Sequence, residues 1–446
     1  MKEIILVKDG ELALKGLNRS TFEDILVKNM RRRLSPLGKF AFTKSQSTVM
    51  IEPLEEGIDL DEAAGRLTRV FGIAGFSRAA QAPKEMGEIL RIAGEYLAPQ
   101  LMEAASFKVE AKRSDKKFPL KSPQISAELG GYLGVDCVRT RDGLVYAAAY
   151  NGAAMKKRQS DLVRTDGGHT AAILSVEGEL TGFAFDADGD LWLTVVTSSG
   201  GALCRARHDS WGTSVEQVVT QIDGAPLGVL SAVETGPDGK VYFAVSTEAA
   251  AKNGLESALR TELIAHTGTG CVYVYDPSAR TVEQVLGGVA GAAGLALSED
   301  GRTLYVSDLG DRCIWSVDAD ARELTAGGKN CGSFVSGLPG YPGALALDED
   351  GTLYISYRWT RSGWLEKHTD STLLRGIALR AGENIQKKLF KLPADAPCAE
   401  AVDTADGSWK QTFSGGELDG CTAVCPAGSK VYFGAAGSAS LLSARV

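Results

Sequence analysis

Two groups of residues in this chain have types and spacing that could carry chemistry. The first is cationic. Arg113, Lys116, Lys117 and Lys121 stand close together, just ahead of Ser122-Pro123. Proline suits the first turn of a helix, so the cluster leads into an open helix N-terminus. Cations there oppose the helix dipole but favour an anion brought to it, which points to phosphate recognition. Arg31-Arg32-Arg33 closes an earlier expected helix. Stabilisation of the helix end and phosphate binding account for that triplet equally well. The second group is sparse. Glu234 stands where an inner strand is expected to begin and could face an interior channel as an acid or base, or lie solvated in a turn. Asp308 follows an apolar strand and opens an Asp-Leu-Gly-Asp turn. His208 and His266 have no evident acid or cysteine partner, so a nucleophile–base pair has no support. Tyr357, Arg358, Trp359 and Trp364 either line a pocket mouth or pack. Asp186, Asp188 and Asp190 imitate the start of a calcium loop but lack its distant bidentate Glu, so a hairpin is the better reading. Cys421 and Cys425 do not have zinc-knuckle spacing and read as packing residues.

The elements that position these residues show themselves as a repeat. Residues 293–318 (AGLALSEDGRTLYVSDLGDRCIWSVD) read as strand, turn, strand, turn, strand, with the alternation of a half-buried strand and a glycine at the reversal. An acidic-Gly turn followed by an apolar-aromatic-apolar strand recurs at Asp142-Gly143, Asp188-Gly189, Asp238-Gly239, Asp300-Gly301 and Asp350-Gly351, and in a reduced form at Gly428. The spacing of roughly fifty residues is that of propeller blades or solenoid turns, each with an apolar face it cannot bury alone.

Composition bounds the rest. The chain has 446 residues, 44% hydrophobic and 23% charged, which fits two or three globular domains. Fifty-two glycines agree with many turns. No apolar run is long enough for a transmembrane helix, and the first residues lack the apolar region of a secretion signal. With eight scattered cysteines, a reducing cytoplasmic setting is expected. The net charge of −8 divides into +3 over residues 1–133 and −11 over the remainder, as if the two parts had different partners.

Residues 9–23 (DGELALKGLNRSTFE), 71–76 (FGIAGF) and 107–133 (FKVEAKRSDKKFPLKSPQISAELGGYL) resemble the N-terminal part of bacterial tRNA 4-thiouridine synthetases, the tRNA sulfurtransferases. The resemblance implies a ferredoxin-like domain over 1–56, a C-terminally truncated THUMP domain over 57–133, and docking of the tRNA acceptor region. Lys15, Arg19, Lys112, Arg113, Lys116, Lys117 and Lys121 would then be the phosphate contacts. The family's adenylating PP-loop has no counterpart. Ser199-Gly200-Gly201 is the nearest string, and it lacks the Asp-Ser that the loop requires.

From Gly134 onward the chain resembles the strictosidine synthase-like family, six-bladed propellers related to gluconolactonases. The resemblance rests on GFAFDADGDLWLTVV (182–196), DGAPLGVLSAVETGPDGKVYFAVST (223–247), GLALSEDGRTLYVSD (294–308), FVSGLPGYPGALALDEDGTLYISYRW (334–359) and DGCTAVCPAGSKVYFG (419–434). Metal-dependent members hold Ca²⁺ at the channel floor through oxygen donors. The positions that correspond to those donors are Ser231, Ala293 and Ala344. The acid/base Glu of strictosidine synthase corresponds to the stretch Asp419–Thr422, which has no Glu in register. The expectation is therefore a small α/β module followed by an all-β six-bladed propeller over 134–446. That propeller would bind a small molecule in its channel with no cofactor, or keep a metal-independent hydrolase activity of the lactonase or esterase type, with Ser231, Glu234, Asp308 and Tyr357 lining the channel and Glu234 as the one catalytic candidate. Weak tRNA binding would fall to the N-terminal module, and no membrane partner is expected. Three alternatives stay open: a Ca²⁺-dependent lactonase or esterase, a tRNA-thiolation accessory protein, and a fusion of two gene fragments without joint function.

Overall fold

The computed structural model describes residues 2–9, 19–45, 48–55, 57–86, 88–89, 91–93, 96–97, 111, 115–116, 118, 134–151, 159–165, 170–248, 254–368, 371–381, 386, 397–414, 420–435 and 438–445. The chain divides into two compact units, Met1–Ala98 and Pro99–Val446. No helix among the described residues is long and apolar enough to cross a membrane.

The first unit is an antiparallel sheet with helices packed against it. Strands β1 (Glu3–Asp9), β2 (Phe40–Ser45), β3 (Thr48–Pro53) and β4 (Ile73–Ala80) lie in the order β2-β3-β1-β4. Helices α1 (Arg19–Leu34) and α2 (Leu60–Leu67) contribute Leu26, Met30, Leu34, Ala63 and Leu67 to a core shared with Ile5, Val7 and Ile51. Asp59 caps α2 by accepting from Asp61 N and Glu62 N. Helix α1 already runs at Arg19, so Ser20 lies inside its first turn. The expected boundary at 56/57 falls between β3 and α2 of this one sheet, since β4 pairs along β1. The described residues between Met86 and Leu97 are helical. The helix expected from Ser122 lies outside the described residues.

The described residues of the second unit form six blade sheets in chain order and a separate two-stranded hairpin, Gln221–Ile222 with Ala225–Pro226; the pairings are antiparallel except for the short parallel one of Leu286 and Gly287 with Leu324 and Thr325. The innermost strands of the blades are β5 (Gly134–Arg141), β6 (Glu179–Phe185), β7 (Val229–Thr235), β8 (Ala292–Leu297), β9 (Gly340–Leu347) and β10 (Ala423–Ala427). Each inner strand packs against the next, and β10 packs back on β5, so the six blades close into a ring. All six repeated turns join an inner strand to the second strand of its blade. Their glycines, including Gly143, Gly301 and Gly428, sit at positive φ, where a side chain would be strained.

The repeated motif has a visible physical cause. Asp186 accepts from Asp188 N and Asp190 N with one oxygen and from Trp192 Nε1 at 3.0 Å with the other. Asp348 does the same for Asp350 N, Thr352 N and the Tyr354 hydroxyl. In these two blades the acid thus ties the hairpin to the aromatic residue of the following strand, whereas in the third blade the Tyr242 hydroxyl donates to Ala319 O. These acids are spent on backbone donors, in agreement with the hairpin reading of Asp186, Asp188 and Asp190.

Neighbouring blades are stitched through side chains. Ser231 Oγ and Ser246 Oγ both donate to Ala292 O at 2.7 Å, Ser307 Oγ to Gly343 O at 2.8 Å, and Thr422 Oγ to Val135 O at 3.0 Å. The last of these bonds links the first blade to the sixth. The inner strands approach so closely that Gly294 has no room for a side chain: a Cβ there would lie 2.3 Å from Gly343 O and 2.8 Å from Ala344 Cα. Gly294→Ala is therefore expected to destabilise the ring by about 2–3 kcal/mol, the cost of forcing packed groups apart. A lowered urea midpoint followed by tryptophan fluorescence checks this, since all six tryptophans lie in the propeller.

Candidate functional site: the propeller channel

A narrow cavity of about 30 Å³ lies among the inner strands of the ring. That is room for one or two waters or a group of similar size. Every blade contributes to its wall: Arg139, Thr181 and Gly182, Ser231, Ala293 and Gly294, Ala344, and Thr422 face it, joined by Arg358 from the second strand of the fifth blade. The three positions that the family resemblance equates with oxygen donors, Ser231, Ala293 and Ala344, meet around this one space. Two of them have no side-chain donor atom, and the hydroxyl of Ser231 is turned to Ala292 O.

This wall does not fit a divalent cation. Among the described residues there is no group of three His, Cys, Asp or Glu that could hold one. The charge presented to the cavity by Arg358 would repel a cation, and Ca²⁺ takes six to eight oxygen ligands including carboxylates.

Glu234 lies near the end of β7, at the hairpin end of the channel, and not at the beginning of the strand as its sequence context implies. It borders a separate depression with Arg139–Arg141, Ala184–Asp186 and Thr235. Its Oε1 is ion-paired to Arg139 Nη2, and Arg139 Nε also donates to Phe183 O at 3.3 Å. The two side chains are only 17% and 21% exposed. Burial pushes the Glu234 carboxyl up, and the guanidinium beside it pulls it back only in part. The first three blades are tied together here, with the carboxylate engaged in the tie.

Asp308 is fully buried at the opposite end, where α3 (Gly254–Ala265), α4 (Gly363–Lys367) and α5 (Thr372–Arg380) are inserted between second and third strands. It does not line the cavity. Its oxygens accept from Asp311 N at 3.0 Å, Trp315 Nε1 at 3.0 Å and Ala290 N at 3.2 Å. Burial, together with the charge of Asp311, pushes its carboxyl up to about 6 against the pull of those donors. Tyr357 is also off the channel. It is buried in the core between the fourth and fifth blades and donates its hydroxyl to Glu400 Oε2 at 2.5 Å. Successive residues of a strand face opposite ways, so the side that holds Tyr357 in the core turns Arg358 toward the axis.

His266 does have an acid partner: its Nε2 lies 3.0 Å from Asp311 Oδ1, which holds the imidazole above its usual range. Cys421 hydrogen-bonds with Cys398, and Cys425 packs in a different cluster, so the two do not act as a pair. Ser199 lies in the turn between two strands, and Gly200 and Gly201 begin the next strand, so no phosphate loop forms.

Of the proposed phosphate contacts, Lys116 is exposed. Lys15, Lys112, Arg113, Lys117 and Lys121 lie outside the described residues, and of Arg19 the structure describes the backbone alone. Arg31, Arg32 and Arg33 are exposed at the end of α1, with Arg31 stacked on Phe42, its guanidinium carbon 5.2 Å from the ring centroid.

Comparison with known proteins treats the two parts separately. Residues 4–77 match the ThiI ferredoxin-like domain and residues 83–139 the THUMP domain. The THUMP match thus ends inside β5, the first inner strand of the propeller. Residues 214–380 match the SMP-30/Gluconolactonase/LRE-like region. A probable tRNA sulfurtransferase of Acetivibrio thermocellus is 45% identical over 136 residues, which is 30% of this chain and 34% of the relative. That of Moorella thermoacetica is 43% identical over 129 residues, 29% of this chain and 32% of the relative. The chain spans about a third of the length of these curated relatives. Among solved structures, a luciferin-regenerating enzyme aligns at a TM-score of 0.46 with 17% identity, covering 69% of this chain and 85% of its own. A gluconolactonase from Xanthomonas campestris aligns at 0.46 with 15% identity, covering 70% and 85%. The chain therefore carries ThiI ferredoxin-like and THUMP domains in its N-terminal part and an SMP-30/Gluconolactonase/LRE-like region within its propeller.

Proposed function

We propose that the propeller binds a small molecule on its axis without a divalent cation, and that the N-terminal module gives the same chain affinity for tRNA. One observation carries the first part: the positions where a metal would find its ligands are Ser231, Ala293 and Ala344, and the charge beside them is the cation Arg358. Binding, not metal-assisted hydrolysis, is the chemistry this wall supports. A thermal-shift screen of the full chain in EDTA, with small organic acids, lactones and sugars, tests it. At least one stabilising compound is expected in the absence of metal. Stabilisation that appears only after Ca²⁺ is added would overturn the proposal in favour of the metal-dependent lactonase or esterase.

The tRNA reading is supported by the matches at 4–77 and 83–139 and by the exposed arginines that end α1. Contacts of this kind are to phosphates, so affinity should fall steeply with salt. Filter binding of tRNA to the full chain is expected to lose roughly ten-fold in affinity or more between about 50 and 200 mM salt. Affinity that is insensitive to salt would contradict a phosphate interface.

A further inference from the structure

Arg358 is a buried charge without a partner. The residue is 6% exposed, its Nε has no hydrogen-bond acceptor, and its guanidinium forms no ion pair with a described residue. It lines the cavity among the inner strands. Arginine so buried is almost always paired, because a charge taken out of water alone is costly. Nor does arginine escape that cost by giving up its proton.

The wall has nothing of its own to answer this charge. Among the described residues no Asp or Glu lines the cavity. The other arginine there, Arg139, is already paired with Glu234. The hydroxyls of Thr181, Ser231 and Thr422 donate to Thr194 O, Ala292 O and Val135 O, so two of these bonds also occupy carbonyls of inner strands. Each inner strand is the edge strand of its sheet, and the N–H groups on such a free edge have no ladder partner. The cavity therefore combines one unanswered positive charge with backbone donors.

We infer that this cavity is a binding site for a single halide ion, chloride in ordinary solution, held by the guanidinium of Arg358. A halide carries the one negative charge that is missing. It is little larger than a water molecule and imposes no directional geometry on its donors. The volume of about 30 Å³ suits it and is too small for sulfate, phosphate or an acid with a carbon skeleton. Ser231, Ala293 and Ala344, the positions equated with cation ligands, thus surround an ion of the opposite sign. This inference rests on the metal-free reading of the channel and adds the inorganic ion that completes its wall.

The test uses the full chain, with chloride and bromide as probes and methanesulfonate as the reference anion at equal ionic strength. Line broadening of ³⁵Cl is expected to saturate and to be reversed by bromide but not by methanesulfonate. In crystals grown with sodium bromide, an anomalous-scattering peak is expected in contact with the Arg358 guanidinium. Arg358→Gln should weaken chloride binding by about ten-fold or more, as loss of a charge-assisted contact requires. Ala344→Asp keeps Arg358 but brings a carboxylate to the same cavity, and should displace the halide as well. If these variants fail to fold, the bromide peak in the wild type decides alone. Broadening that does not saturate, broadening that both variants retain, or bromide found only elsewhere on the chain would overturn the site. A compound that stabilises the chain in EDTA and methanesulfonate, with no halide bound, would leave the small-molecule channel standing while removing the halide. Ca²⁺ bound in the channel would remove both.

Discussion

Asp308→Ala lowers the stability of the propeller by about 3–5 kcal/mol, because it orphans three donors in one place, each worth about 1–3 kcal/mol when left buried and unpaired. Those donors are the backbone N–H groups of Ala290 and Asp311 and the indole of Trp315, and their acceptor is 0% exposed. The same carboxyl makes stability depend on pH. Its pKa is pushed up to about 6 in the folded chain from an ordinary value of 3.8. Between these values the unfolded carboxyl has released its proton while the folded one retains it. Stability from this group is therefore complete below about pH 4 and is lost as pH rises through about 6. Other groups titrate nearby, His266 and Asp311 among them, so the difference between wild type and Asp308→Asn isolates the effect. Urea unfolding of the full chain from pH 4 to 7, followed by tryptophan fluorescence, is expected to show a wild-type advantage that shrinks as pH rises. An advantage that grows with pH would show that the three donors outweigh burial.

The second large effect is at the tie between the first three blades. Glu234→Ala leaves Arg139 four-fifths buried with only Phe183 O as acceptor. Breaking a fully buried pair from one side costs about 3–5 kcal/mol, and partial exposure lowers the expectation to about 2–3 kcal/mol. Replacing both partners, Glu234→Ala with Arg139→Met, removes the stranded charge, and the double variant should recover at least half of the loss. Urea midpoints of the two variants measure this. A single variant within about 0.5 kcal/mol of wild type would mean that the pair does not hold the blades. It would also return Glu234 to the role of a free acid or base.

The blades were legible because their signals are local. A period of two, an acidic turn and a glycine that takes positive φ all fall within a dozen or so residues, and in two blades the turn acid bonds the aromatic residue that follows it. The convergence of Ser231, Ala293 and Ala344 was legible only through the family resemblance, because they come from three different blades. The charge pairs were not legible. Arg139 and Glu234 are 95 residues apart, and His266 and Asp311 are 45 apart. Each is made by the packing of different blades and not by a neighbour in sequence. Tyr357 and Arg358 show the limit of periodicity, which says that they face opposite ways but not which of them faces the axis. The pairing of β4 along β1 joins residues some seventy positions apart, and no local signal in the sequence marks it.

The central claim, a ligand channel that works without a divalent cation, is tested most directly by the metal content of the purified full chain together with its melting temperature across a Ca²⁺ titration. The account predicts far less than one equivalent of metal and a melting temperature that does not move. A stoichiometric ion, or a melting temperature that climbs with Ca²⁺ as linkage requires, worth about 2.7 kcal/mol at a hundred times the dissociation constant, would contradict it.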